Sequence, residues 1–227
     1  MANGFKSLSI PVKVLTTAIA GILVLAVVLT TLAIRDVREQ AVRATVNSSR
    51  AVVLAAEAAR EEMAAKVSSG LIRPFDELVE IGDRDLLLSA VPVLTAIEIA
   101  EQNAEEANYQ FRVPKVDPRN PENEPTPLEL EVLTQLKDEQ LDEFVLEEAD
   151  QIRYFRPIRL TSECMLCHGD PAGSTDPIGG TREGWNVGEI HGAFEIITSL
   201  EGARQIQRSA LIRTSMISGG LAILVSG

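Results

Sequence analysis

Two cysteines and a histidine stand within five consecutive positions, Cys164-Met165-Leu166-Cys167-His168, and the 227 residues hold no other cysteine and only one other histidine, His191. Thiols with two residues between them can add to both vinyl groups of a porphyrin as thioethers, and an imidazole directly after the second thiol lies beneath the iron. The pattern therefore predicts one covalent haem c, with Cys164 and Cys167 as attachment points and His168 as the proximal iron ligand. Gly169, Pro171 and Gly173 let the chain turn away from the porphyrin edge. Three duller uses compete: a redox pair, a zinc site and two structural thiols. A redox pair wants a thioredoxin-like βαβ setting, which the sequence does not display. Zinc held by Cys164, Cys167, His168 or His191 and a carboxylate has no recognisable spacing. With two cysteines in all, a disulfide framework and a four-cysteine zinc site are excluded.

The far side of the iron is less constrained. Met63 lies in a helical stretch, and methionine ligation would raise the potential. His191 alternates with Glu189 and Glu195 on what reads as the polar side of a strand, so solvation or a carboxylate partner is its plainer role. Met165 lies inside the attachment loop and cannot reach over the ring. Met63 or an open position therefore ranks ahead of His191 as the distal ligand. Arg153, Arg156 and Arg159 precede the motif, and Arg156 is the candidate for holding a haem propionate. Surface ion pairs are the alternative. There is no nucleophile–base pair, phosphate loop or metal triad to suggest an enzyme.

The elements that must position these residues follow from periodicity. Residues 36–70 repeat Ala, Val, Arg and Glu at helical spacing, with Val42, Val46, Val53, Ala56 and Met63 near one stripe and Gly70 as terminator. A short helix starts at Pro74 and runs to Ile81, and a second helical region covers 85–108. Four prolines within 113–125 forbid helix and predict an ordered, extended loop. Thr126 or Pro127 opens a helix to about Glu139. Residues 152–160 and 187–197 read as strands. Thr198 and Glu201 fit a capping box that opens the last helix. Helices first and a small sheet late predict an α+β, PAS-like sensor domain with long membrane-proximal helices.

Apolar segments bracket this domain. Residues 14–34 carry no charge and span about 30 Å as a helix, the thickness of a bilayer's hydrocarbon core. Lys6 and Lys13 favour a cytoplasmic N-terminus (residues 1–13), although Arg35 and Arg38 weaken that orientation and the haem motif's need for export has to support it. Residues 211–227 read as the start of a second transmembrane helix that the sequence truncates. Between them, 35–210 forms the domain, placed in the periplasm at a bacterial inner membrane. It holds 18 basic and 33 acidic residues, which excludes nucleic acid as a partner. Aromatics make up only 4% of the chain, which favours long helices over a large β sandwich.

Several local runs, in order, resemble a known family. They are Phe111-Arg112-Val113-Pro114, the run from Pro118-Arg119-Asn120-Pro121 to Glu124-Pro125, Tyr154-Phe155-Arg156-Pro157-Ile158, Cys164 to Gly169, and Gly188-Glu189 with Gly192-Ala193. They look like the extracytoplasmic haem c sensor domains, PAS-like in fold, of methyl-accepting chemotaxis proteins and sensor histidine kinases. That resemblance, over roughly 45–200, implies a monohaem, dimeric domain that senses redox state or a small gas and signals through the membrane helices. A membrane-anchored monohaem cytochrome in electron transfer is the alternative. Some members of the family offer the iron a further cysteine from a helix. Here both cysteines are committed to the porphyrin, so thiolate ligation is excluded.

Overall fold

The computed structural model describes residues 9–102, 104–202, 204–206 and 208–213. The chain divides into two compact units, one of 1–43 with 200–227 and the other of 44–199. In the first unit, helix α1 (Ile10–Ser68) begins with a stretch long and apolar enough to cross a membrane, none of it buried against protein. That is compatible with a membrane anchor. Three of its hydroxyls bond within the helix: Thr16 donates to the Val12 carbonyl at 2.9 Å, Thr17 to Lys13 at 2.8 Å and Thr31 to Val27 at 2.8 Å. A spanning segment requires this, because hydrocarbon offers polar groups no partner. Residues 208–213 are helical, and the second apolar run, 214–227, lies outside the described residues.

The second unit is built on a four-stranded antiparallel sheet. No glycine or proline interrupts the chain between 22 and 69, so α1 continues until Gly70, whose φ of +73° turns the chain out of the helix. Helices α2 (Phe75–Ile81), α3 (Arg84–Ser89) and α4 (Pro92–Gln102) follow. The expected single helix over 85–108 is thus two. Pro92 has no N–H to offer the preceding turn and disfavours helical backbone at Val91, while Asp83 caps α3 by accepting from the Asp85 and Leu86 amides at 3.1 Å each. The chain then forms β1 (Tyr109–Arg112), α5 (Pro127–Asp138), β2 (Phe144–Glu147), β3 (Gln151–Arg159), the single turn α6 (Met165–His168) and β4 (Ile190–Ser199). Sheet order is β1-β4-β3-β2.

Two of the four strands, β1 and β2, escape the sequence reading. Each is four residues long and lies at an edge of the sheet, too short for alternation to stand out. The strand expected over 187–197 is displaced to 190–199. Thr198 pairs with Tyr109 and Ile152, so it is a strand residue and not a helix cap. The true capping box opens α5: Thr126 Oγ1 accepts from the Glu129 amide at 3.3 Å, and Glu129 Oε2 accepts from the Thr126 amide at 2.7 Å.

Both faces of the sheet are covered. On one face, Val53 and Ala56 of α1 and Ala96 and Ala100 of α4 pack against Tyr154, Ile158, Phe194 and Ile196. On the other, Val132, Leu133 and Leu136 of α5 pack against Phe155 and Ala193. Each large side chain so buried contributes roughly 1.5–3 kcal/mol. Strand β4 was expected to present a solvated face bearing His191 and Glu195. Helix α5 covers that face instead, and Glu195 is completely buried.

Candidate functional site

The motif sits where β3 ends. Leu160 and Thr161 leave the sheet, a 3₁₀ turn covers Ser162–Cys164, and α6 supplies one helical turn. That turn places Cys164 and Cys167 three residues apart on one side, both half-buried as free thiols. Cys164 Sγ lies 3.4 Å from both the amide and the hydroxyl of Thr161. After His168 the backbone must bend immediately: a Cβ at Gly169 would lie 2.7 Å from the Met165 carbonyl oxygen. The loop then returns, and the Trp185 amide donates to the His168 carbonyl at 2.8 Å.

His168 is held from its Nδ1 side. Nδ1 lies 2.8 Å from Glu183 Oε2; with the carboxylate as acceptor, Nδ1 carries the proton and Nε2 keeps its lone pair. Burial opposes ionisation of Glu183, but hydrogen bonds from His168 and Arg119 overcome it and hold its carboxyl at about 2. Burial also lowers the His168 pKa, with Glu183 partly offsetting it. A neutral imidazole with its second nitrogen fixed by a carboxylate is the usual form of a metal-bound histidine.

His191, at the start of β4, packs against this ring. The two imidazole centroids are 4.4 Å apart at an interplanar angle of 62°, and Trp185 stands edge-on to His191 at 5.3 Å. His191 Nε2 is buried with no hydrogen-bond partner. Burial first, then the positive charge of Lys115, lowers its pKa to about 3, so this ring too is neutral. Donor atoms of His168, Glu183 and His191 lie within 4.8 Å of one another, a three-donor group that the sequence reading did not foresee. Close approach of the loop makes this possible: the Ala193 amide donates to the Pro114 carbonyl at 3.1 Å, and a Cβ at Gly192 would meet that oxygen at 2.8 Å.

Arg119, from the proline-rich loop, ties the surroundings together. It donates to the Cys167 carbonyl at 2.8 Å and the Thr181 carbonyl at 2.9 Å, and reaches Asp176 at 2.5 Å and Glu183 at 3.2 Å. Arg182 adds a bond to the Leu166 carbonyl at 3.0 Å. Lys115, itself buried, sits 3.5 Å from Glu183. These groups gather around His168 from β4 and from loops. Met63 is half-buried on α1. Arg156 is committed elsewhere, donating to Glu57 at 2.6 Å; Arg153 and Arg159 are likewise engaged, by Glu195 and Gln140.

The donor set fits covalent haem attachment. Two thiols and a neutral, oriented imidazole occupy one turn, and a second imidazole nitrogen is buried with nothing to bind. Burial, then Asp176, raises the Cys167 thiol to about 11, which disfavours Cys167 itself as an attacking thiolate. Sequence reasoning missed Glu183, Arg119 and Trp185. One signal was available: a ligating histidine needs an outer carboxylate, and the loop after the motif offers only Asp170, Asp176, Glu183 and Glu189 as acids.

Fold and site together define an α+β domain with an antiparallel sheet between helices, carrying a thiol–imidazole motif at one sheet end; a PAS-like architecture fits it. The profile of the Tll0287-like family matches residues 38–199, and the chain belongs to that family. The crystal structure of the cyanobacterial heme-protein Tll0287 is similar at 20% sequence identity with a TM-score of 0.53, over 68% of this chain and 94% of that one. No curated protein matched the chain.

Proposed function

We propose that this domain binds one haem c through Cys164 and Cys167, with His168 as proximal ligand, and that it is the extracytoplasmic sensor region of a transmembrane signalling receptor rather than an enzyme. The observation that carries the haem reading is the His168–Glu183 bond, which leaves Nε2 of His168 free, beside a buried and unpartnered Nε2 on His191. The heme-protein whose structure shares the fold supports the same cofactor. Bound haem would supply one-electron chemistry at the iron and, at an open position, binding of a small gas. The chain's own residues do the rest. Glu183 holds the proton on His168 Nδ1, and Arg119 fixes both Glu183 and the Cys167 carbonyl. Trp185 and the loop behind it shield His191 from water.

For the distal position, the ring contact and the orphaned nitrogen favour His191 over Met63. The ring centroids are 4.4 Å apart, so ligation from both sides requires them to part around the porphyrin. Two firm imidazole ligands would close the iron to gases and favour the second reading, a membrane-anchored monohaem cytochrome. In the receptor reading, α1 carries the signal. It contributes Val53 and Ala56 to the core beside the sheet and contains the apolar stretch. Lys6 and Lys13 argue for a cytoplasmic N-terminus and a periplasmic domain, as in chemotaxis receptors and sensor kinases, which act as homodimers.

The test is a pyridine haemochrome spectrum of the full chain, produced with cytochrome c maturation active. A c-type spectrum that survives acid–acetone extraction supports covalent attachment, and a colourless protein overturns it. Carbon monoxide binding to reduced His191→Ala but not to the parent would establish His191 as distal ligand; binding to both would leave the iron open and favour sensing. Glu183→Gln should raise the midpoint potential, because a less basic His168 stabilises the ferric state less; an unmoved potential would remove Glu183 from the iron's surroundings.

A further inference from the structure

A second polar cluster lies under α5, and the haem reading makes no use of it. Glu129 of α5 and Glu195 of β4 are both completely buried. Their carboxyl groups converge on one nitrogen, Nη2 of Arg153, and so lie side by side. Two arginines face them. Arg153 of β3 reaches Glu195 Oε1 at 2.5 Å and Glu129 Oε1 at 2.9 Å. Arg112 of β1 donates to Glu129 Oε1 at 2.8 Å but stands 3.9 Å from Glu195 Oε2. Glu195 Oε2 is buried without a hydrogen-bond partner. Glu129 Oε2, by contrast, takes the Thr126 amide of the capping box.

Two ionised carboxylates buried side by side repel each other, and a proton on one of them relieves that repulsion. The unpartnered Glu195 Oε2 is the atom available to carry that proton. We infer that Glu129 and Glu195 form a proton-binding site, one proton bridging the two carboxyl groups across the α5–sheet interface, so that α5 is held to the sheet by a pH-responsive joint. A proton on Oε2 converts an orphaned acceptor into a donor toward Glu129; its loss leaves two like charges face to face.

The electrostatics agree in sign. Burial first, then the hydrogen bond with Glu129, raises the Glu195 carboxyl to about 8. Burial opposes ionisation of Glu129, but the bond to Glu195 and those from Thr126 and Arg112 hold it at about 2. A carboxyl raised on folding gives stability that is complete below its unfolded pKa and is lost as pH rises through the folded value. The joint should therefore weaken as pH rises from about 6 to about 9.

Infrared spectroscopy of the full chain in detergent, in H₂O and D₂O, tests this without depending on the haem. At about pH 6–7 the parent should show a deuterium-sensitive protonated-carboxyl stretch that fades by about pH 9 and is missing from Glu195→Gln. Its unfolding temperature should fall by about 5 °C or more between about pH 6 and 9, while that of Glu195→Gln stays level. Glu129→Gln, which removes the second charge, should move the fading of the band to lower pH, because Glu195 then faces Arg153 without a like charge beside it; a band fading at the parent's pH would overturn the proposal. A parent lacking the band at the acid end, or a Glu195→Gln chain with the parent's pH slope, would overturn the proposal. Should Glu195→Gln fail to fold, the parent's own band and slope still decide it.

Discussion

The two faces of one sheet are built on different physics. On the α1–α4 face the core is apolar: Val53, Ala56, Ala96 and Ala100 meet Tyr154, Ile158, Phe194 and Ile196. On the α5 face an equally buried layer includes Glu129, Glu195 and the mostly buried Arg153 beside Leu136 and Phe155. An apolar layer is non-directional and tolerates small shifts. The ionic layer is stable only while every partner is present, because breaking a buried pair strands a charge. His191 stands at a break in the β3–β4 register, where Ile158 pairs with Gly192 and Arg159 with Ile190, so the candidate iron ligand leaves the sheet at its irregular end. Its position is tied to the proline-rich loop, whose Pro114 carbonyl takes the Ala193 amide at 3.1 Å.

This contrast can be broken by measurement, most severely on the apolar side. Phe194→Ala removes a completely buried ring that packs on Phe111 at 5.7 Å between centroids. Its unfolding free energy should drop by about 4 kcal/mol in urea titration of the detergent-solubilised chain. Arg153→Met leaves Glu195 and Glu129 without their shared partner and should cost about 3 kcal/mol. Adding Glu195→Leu to Arg153→Met should regain part of that loss, and no recovery would mean that Arg153 acts through packing instead. Thr126→Ala deletes one half of the α5 capping box and should cost about 1 kcal/mol; a loss as large as that of Arg153→Met would show that the cap and the ionic layer form one unit. Least of all, Arg43→Gln breaks a surface pair with Glu39, 64% exposed on both sides, and should leave the unfolding midpoint unmoved.

Much of the architecture is readable from local pattern. The uninterrupted Ala–Val–Arg–Glu repeat gives α1, and Thr126 with Glu129 gives the start of α5. Strands β1 and β2 are not readable. Four-residue edge strands depend on pairing with neighbours distant in sequence, as when Tyr109 meets Thr198. The misreading of Thr198 as a helix cap has the same origin: its hydroxyl and the following Glu201 satisfy a local rule, while pairing on both sides of β4 keeps its backbone extended.

The sequence by itself determined the chemistry carried by adjacent residues. Cys164, Cys167 and His168 lie within one turn of chain, so their spacing alone brings two thiols and an imidazole together. The apolar stretch near the N-terminus is equally self-contained, because its length and lack of charge are properties of the segment. Tertiary structure alone decided the partners: Glu183 on His168, His191 against that ring, Arg119 across the loop, and Glu195 facing Glu129. Alternation along β4 marked His191 and Glu195 as a polar side, and alternation carries no knowledge of what will cover it. Once α5 covers Glu195 and Trp185 packs against His191, the polar groups must find partners within the protein, and burial turns them from surface residues into a ligand candidate and a candidate proton site.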